Sequence, residues 1–299
     1  MLSFHPLTLA DKAWVDDHVF SHASRSADFN FGNMFLWDRH YCQHLCDYGG
    51  RLVVLTCCFG TPFYPFPVGK GDLAPVIEAM KEFAHVRHFP FTIHGVEREN
   101  CAQLEALYPG KFRFEEQRDY ADYLYSAEKL ASLSGKKLHG KRNFCNRFEN
   151  SYRWHFEVLA PRHFDACRSL LAAWSQGNDS DTVRRESAAI ERAFEHYDSL
   201  DLLGGALFVE DRLMAFTIGE RIAQDTVDIH FEKADESFVG AYAMINREYA
   251  RLVRQHWSEV LYLNREDDMG LENLRQAKLS YRPEFLVEKF TATWVDAHD

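Results

Sequence analysis

No uninterrupted apolar run in this chain approaches the roughly 18 residues that a membrane span needs. The opening stretch, Met1 to Thr8, lacks a basic region leading into a hydrophobic signal core. A soluble, cytoplasmic protein is therefore expected. Positive charge is scarce as well: 34 Lys and Arg face 45 Asp and Glu, for a formal net charge of −11. That balance excludes broad adhesion to nucleic acid or anionic membrane, while leaving room for a local basic site. A disulfide framework is also missing. The seven cysteines cannot all pair, and Cys57 and Cys58 are adjacent, as suits reduced thiols. His40, Cys42, His44 and Cys46 share a parity that one strand face can present. A single strand cannot wrap four ligands tetrahedrally around one ion, so this segment reads as partly buried thiols and histidines, and no metal site is expected.

What is present is ample core material. With 299 residues, 46% of them apolar and 24 of them Phe, the chain exceeds what one hydrophobic core organises, and two domains are expected. The division falls near Ser126, giving 1–126 and 127–299. In the first part Thr8 is an N-cap candidate for a helix to Phe20, and Phe31, Met34, Phe35 and Trp37 are dense enough to anchor a core. Arg51 to Phe59 reads as a buried strand, Asp72 to Ala84 as a capped helix, Phe89 to Gly95 as a strand and Glu99 to Tyr108 as a helix. Strands and helices alternate as in an α/β unit.

The second part opens on a basic stretch. Lys136, Lys137, Lys141, Arg142 and Arg147 fall together with no acid among them, beside Asn143, while Phe144, Phe148 and Tyr152 form an inward stripe at helical spacing. Such a stretch is either a phosphate-holding surface or a solvated helix start. Leu202 to Gly219 is a hairpin turning at Glu210-Asp211-Arg212. In Thr226 to Lys233, Val227, Ile229 and Phe231 fall on one face and Asp228, His230 and Glu232 on the other, the period of a strand with one side buried. A turn through Gly240 and Ala241 leads into a helix from Tyr242 to Val253. A strand, a tight turn and a helix N-terminus can hold an anion on backbone N–H groups, and Gly240 removes the side chain where a ligand would approach. Asn264, Arg265, Glu266, Asp267 and Asp268 close the next strand, either as a site or as acids stabilising a helix N-terminus. Lys278 and Tyr281 follow, three apart on a helix.

The second half resembles the GNAT acyltransferase fold. The phrases Gly135 to Asn143, Lys233 to Asn246, Tyr262 to Gly270 and Leu274 to Pro283, with Phe31 to Trp37 ahead of them, look like the soluble, stand-alone relatives of the phosphatidylglycerol lysyltransferase C-terminal domain. The resemblance covers nearly the whole chain. It implies an α/β protein with mixed sheets, a tandem pair of GNAT-like domains as in the Fem-type aminoacyltransferases that take amino acids from charged tRNA. The membrane-embedded flippase half of the lysyltransferases has no counterpart in this sequence.

The implied activity is transfer of an acyl or aminoacyl group to an amine or hydroxyl acceptor, with aminoacyl-tRNA or acyl-CoA as the donor. An aminoacyl ester is already activated, so alignment, a base and oxyanion donors suffice. Asp228, His230, Glu232, Glu266 and Asp268 are the candidate catalytic groups. Substrate contacts are expected from Gly240, Ala241, Tyr242, Asn264, Arg265, Lys278 and Tyr281, and a tRNA acceptor stem from Lys136, Lys137, Lys141, Arg142 and Asn143. A solvated sheet face is the plainer alternative for the strand acids, and a surface pair for Lys278 and Tyr281. Asp235 and Glu236 sit where a CoA pyrophosphate would meet like charge. No Cys or Ser has an evident base and orienting partner, so direct transfer is expected over a covalent intermediate. An acyl-CoA N-acyltransferase and a non-catalytic binding module are the two rival readings.

Overall fold

Every residue of Arg51–Thr56 is buried, as its near-continuous apolar run requires, and the first sheet is built outward from this strand. The computed structural model describes residues 2–22, 24–57, 60–176 and 180–295; Cys58 and Phe59, the end of the expected strand, lie outside them. The chain forms two units. The first comprises Met1–Asp122, Asp267–Gly270 and Val287–Asp299, and the second Tyr123–Glu266 with Leu271–Leu286. The division expected near Ser126 therefore falls close to the first crossing, but the chain returns to the first unit later.

In the first unit β1 (His5–Pro6), β2 (Gln43–Tyr48), β3 (Arg51–Thr56) and β5 (Val68–Gly69) form one sheet in that order. A second sheet has the order β4 (Tyr64–Pro65), β6 (Thr92–Glu97), the strand Lys289–Trp294, then β7 (Phe112–Glu116). Helices α1 (Lys12–His22), α2 (Phe31–Tyr41), α3 (Leu73–Val86) and α4 (Arg98–Leu107) accompany them. Polar side chains start α2 and α3: Asn30 accepts from the Asn33 N–H at 2.6 Å and Asp72 from that of Ala74 at 3.3 Å. The helix expected from Thr8 begins as one 3₁₀ turn, Leu9–Asp11, before α1 takes over. His40 lies in the last turn of α2 and Cys42 caps it in the left-handed region, whereas His44 and Cys46 lie on β2. The shared parity of the four is therefore not one strand face. Lys289 is buried with its Nζ 2.8 Å from both Asp28 and Asp122, which ties the late strand to two earlier segments of the same unit.

The second unit is one seven-stranded sheet with the order β14-β8-β13-β12-β11-β10-β9. Its strands are β8 (Asp122–Ser126), β9 (Trp154–Val158), β10 (Leu203–Val209), β11 (Arg212–Ala223), β12 (Thr226–Ala234), β13 (Tyr262–Asn264) and β14 (Phe285–Val287). Its helices are α5 (Ala127–Ser132), α6 (His139–Ser151), α7 (Phe164–Ser175), α8 (Asp181–Glu195), α9 (Ala241–His256) and α10 (Glu272–Leu279). The β10–β11 hairpin turns at Glu210 and Asp211, as its sequence requires. Both α7 and α9 pack against β11 and β12, so β12 is buried on both faces, not one. Among the described residues no helix is long and apolar enough to cross a membrane.

Candidate active site

β12 and β13 run parallel and pair only from Thr226–Tyr262 to Asp228–Asn264. Beyond that point β12 continues to Ala234, while the chain after Asn264 stays with β8: Arg265 N–H donates to the Tyr123 carbonyl at 3.0 Å and Tyr123 N–H to that of Glu266 at 3.1 Å. The two strands therefore part, and polar side chains occupy the gap. Glu266 takes a left-handed backbone, φ 54°, and its N–H donates to Asn264 Oδ1 at 2.7 Å. A strained φ at a non-glycine residue, held by a buried Asn, is the kind of feature that concentrates at functional sites.

His230 sits at the centre. Its Nε2 is 3.1 Å from Glu220 Oε1, and its Nδ1 is 3.3 Å from both Asp228 Oδ2 and Glu266 Oε1. Burial alone would lower its pKa, but Asp228, Glu220 and Glu266 outweigh that and hold the imidazole well above its ordinary value. Three carboxylates around one imidazole ring leave excess negative charge in a place with little water. Glu266 is the member of the group that meets solvent, with its side chain 28% exposed. The strand acids are thus neither a solvated face nor a core pair.

Glu232, two residues along β12, organises a second cluster. Its Oε1 accepts from Arg265 Nη2 at 2.9 Å and its Oε2 from Asn246 Nδ2 at 3.2 Å. Arg265 Nη1 is buried and finds no acceptor among the described residues, and Asn246 Oδ1 is buried with no donor among them. Arg265 stands 4.9 Å from the Tyr281 ring centroid and Lys141 Nζ 3.9 Å from the same centroid. Burial, then the nearby Arg265, pulls the Lys141 pKa down to about 8.

Several expected residues have other duties. Lys278 and Tyr281 are both buried, which excludes a surface pair, and Lys278 Nζ donates to the carbonyls of Arg265 and Glu266. It braces the strained segment instead of facing a phosphate. Asp268 belongs to the first unit, a buried carboxylate 3.2 Å from Arg118 that also accepts from Gly270 N–H at 3.0 Å. It is not part of the His230 group. At Gly240, φ 99°, an added Cβ would meet the Phe144 carbonyl oxygen at 2.5 Å and Phe148 Cβ at 3.3 Å. The space expected for a ligand is thus filled by α6, and Gly240 is required by helix packing. Ala241 is buried behind it, and Tyr242, half-buried, packs with the core under α6. Phe144 itself is 47% exposed and leaves the expected inward stripe to Cys145 and Phe148. Burial pushes the Cys145 thiol up to about 11, so it is no nucleophile.

The basic stretch divides. Lys136 and Lys137 are exposed and, with Lys129 and Arg282, line a cavity of about 410 Å³. Arg142 turns back to the carbonyls of Leu133 and Gly135, at 2.5 and 3.3 Å, and shapes that loop. Asn143 contacts the ring of His139 at 3.3 Å. Sequence reasoning missed Glu220, Asn246, Lys129 and Arg282. Glu220 stands in Ile218-Gly219-Glu220-Arg221-Ile222 beside an arginine, and no local pattern marks it.

Residues 21–293 match the family of the phosphatidylglycerol lysyltransferase C-terminal domain. The chain belongs to that family. It is similar along 99% of its length to a conserved protein of unknown function from Bacteroides thetaiotaomicron VPI-5482, covering 100% of that chain at 36% identity and a TM-score of 0.94. A DUF2156 C-terminal domain of a candidate lysylphosphatidylglycerol synthetase from Agrobacterium fabrum shares the fold, with a TM-score of 0.67 at 13% identity over 97% of this chain and 94% of its own. FemX does so with a TM-score of 0.64 at 10% identity, over 97% and 96%. The family fold is the tandem GNAT type. An uncharacterised Mycoplasmoides gallisepticum protein is 28% identical over 174 residues, 56% of this chain, and the match spans 54% of that relative's length.

Proposed function

We propose that this family member transfers an aminoacyl group from charged tRNA to an amine or hydroxyl acceptor. The observation that carries the reading is the buried Arg265 Nη1, a charged donor with no acceptor among the described residues, held in place by Glu232 and Tyr281. A fixed, desolvated donor of this kind suits the oxygen of an ester carbonyl as it becomes an oxyanion. The acceptor's nucleophile attacks the ester carbon, and Glu266, the solvent-facing carboxylate of the His230 group, takes its proton. The bond from the carbonyl carbon to the ribose oxygen then breaks, and Lys141, with a pKa near 8, supplies the proton to the leaving hydroxyl. His230, held by Glu220, keeps Glu266 in place.

The negative excess around His230 favours a substrate group carrying an ammonium, which supports an aminoacyl donor over a plain acyl one. An acyl-CoA donor is disfavoured because α6 presents its Phe144 carbonyl against Gly240 and fills the approach to the turn before α9. Lys136, Lys137 and Arg282 offer phosphates of the acceptor stem a cavity whose other charged lining residues, Lys129 and Glu284, are paired with each other. Charged tRNA as donor also implies a reaction in the cytoplasm. The test uses tRNA charged with labelled amino acids, with vesicles containing phosphatidylglycerol and a panel of amines as acceptors. Protein-dependent transfer of label, reduced about 10²–10³-fold by Arg265→Lys, is expected. Charged tRNA that decays at its spontaneous rate with every acceptor would sink the proposal.

A further inference from the structure

We infer that Asp228, His230 and Glu266 form a binding site for a divalent transition-metal ion of the zinc class. One atom from each, a carboxylate oxygen, an imidazole nitrogen and a second carboxylate oxygen, lie within 4.8 Å of one another. His230 Nδ1 is 3.3 Å from each oxygen. Ligand atoms about 2.0–2.2 Å from a tetrahedral zinc ion are separated by roughly 3.3–3.6 Å, so both nitrogen–oxygen distances already have the length of a coordination edge.

The far side of the ring supplies a separate observation. Glu220, on β11, lies 3.1 Å from His230 Nε2 and does not belong to the three-atom group. A carboxylate on the outer nitrogen of a ligating histidine fixes the tautomer that leaves the other nitrogen free to bind metal, and raises its basicity. The ligand set also comes from different segments, two residues of β12 and one beyond β13, as metal sites usually require. Glu266, partly exposed, gives an ion a path from solvent. One nitrogen and two oxygens suit zinc, cobalt or manganese over a soft ion such as Cu(I).

Metal at this position takes up Glu266, the carboxylate that the proposed transfer uses as its base, so occupancy and transfer exclude each other. The site itself does not depend on that reading, and binding is measured without a transfer assay. The experiment titrates chelator-treated full-length protein with Co²⁺, followed by visible absorption, and with Zn²⁺ by calorimetry. One ion per chain is expected, with an absorption band that Zn²⁺ abolishes. Glu266→Gln, at the exposed edge, removes the band, and Glu220→Gln weakens binding about 10–100-fold; far-ultraviolet circular dichroism confirms that both variants are folded. Absence of saturable one-to-one binding by the wild type overturns the inference, as does binding that both folded variants retain unchanged. One-to-one metal binding by a protein whose metal-free form shows no aminoacyl transfer would leave this inference standing and remove the proposed function instead.

Discussion

Lys141 and Arg265 both stand over the ring of Tyr281, 3.9 and 4.9 Å from its centroid. Burial first, and then the neighbouring guanidinium, which keeps its own proton, make the lysine the cation that gives way.

Lys141 is therefore expected to lose its proton near pH 8, where ordinary lysines stay charged. Its folded pKa lies below its unfolded one, so its burial penalty is constant below about 8 and is relieved as pH rises from there toward the unfolded value. Competitive acetylation read by peptide mass spectrometry should give a half-point for Lys141 near 8, moved upward by Arg265→Met. A half-point matching surface lysines would refute the arrangement.

Gly240→Ala should destabilise the second unit. The residue combines a left-handed φ with a Cβ position 2.5 Å from the Phe144 carbonyl oxygen, and strain of this sort costs on the order of 1–3 kcal/mol. Thermal unfolding should show a Tm lower by several degrees. An unchanged Tm, together with a measurable heat on adding acetyl-CoA, would return the turn to the role of ligand cradle.

In the first unit, Lys289→Met removes the cation shared by Asp28 and Asp122 and leaves Asp122 buried without its compensation. Breaking such a group typically costs about 3–5 kcal/mol. Urea unfolding should record a loss of that size, whereas a change below about 1 kcal/mol would mean that the acids find other partners or protons.

Lys136→Ala with Lys137→Ala should weaken binding of charged tRNA and flatten its salt dependence by about 0.9 for each duplex phosphate left without its lysine. Filter binding across a salt series measures both quantities. Equal slopes for variant and wild type would mean that the cavity holds no phosphate.

Much of this architecture was legible in the chain. The alternation at Thr226 to Lys233, the hairpin at Glu210 and the helix after Gly240 formed where their periods and turn residues placed them, and the family resemblance is borne out. Local pattern failed where tertiary packing decided the outcome. Polar residues on a strand face read the same whether solvent or α7 and α9 cover them, so the burial of Asp228 and His230 was invisible. Gly240 signalled a close approach correctly, but a one-dimensional pattern cannot say whether a ligand or a neighbouring helix makes it. Glu220 reaches His230 through the pairing of β11 with β12, a relation no spacing within either strand records. Asp268 illustrates the opposite limit: two residues after Glu266, it belongs to another unit.

The strand Lys289–Trp294 lies between β6 and β7, so the middle position of that sheet is filled by residues that a ribosome adds long after both neighbours. β6 has β4 to pair with as soon as it is made, whereas β7 has no partner in the sheet until this strand is synthesised. The sheet of β1, β2, β3 and β5 can form from the first-made residues alone, but its neighbour sheet is completed only when this last strand leaves the ribosome.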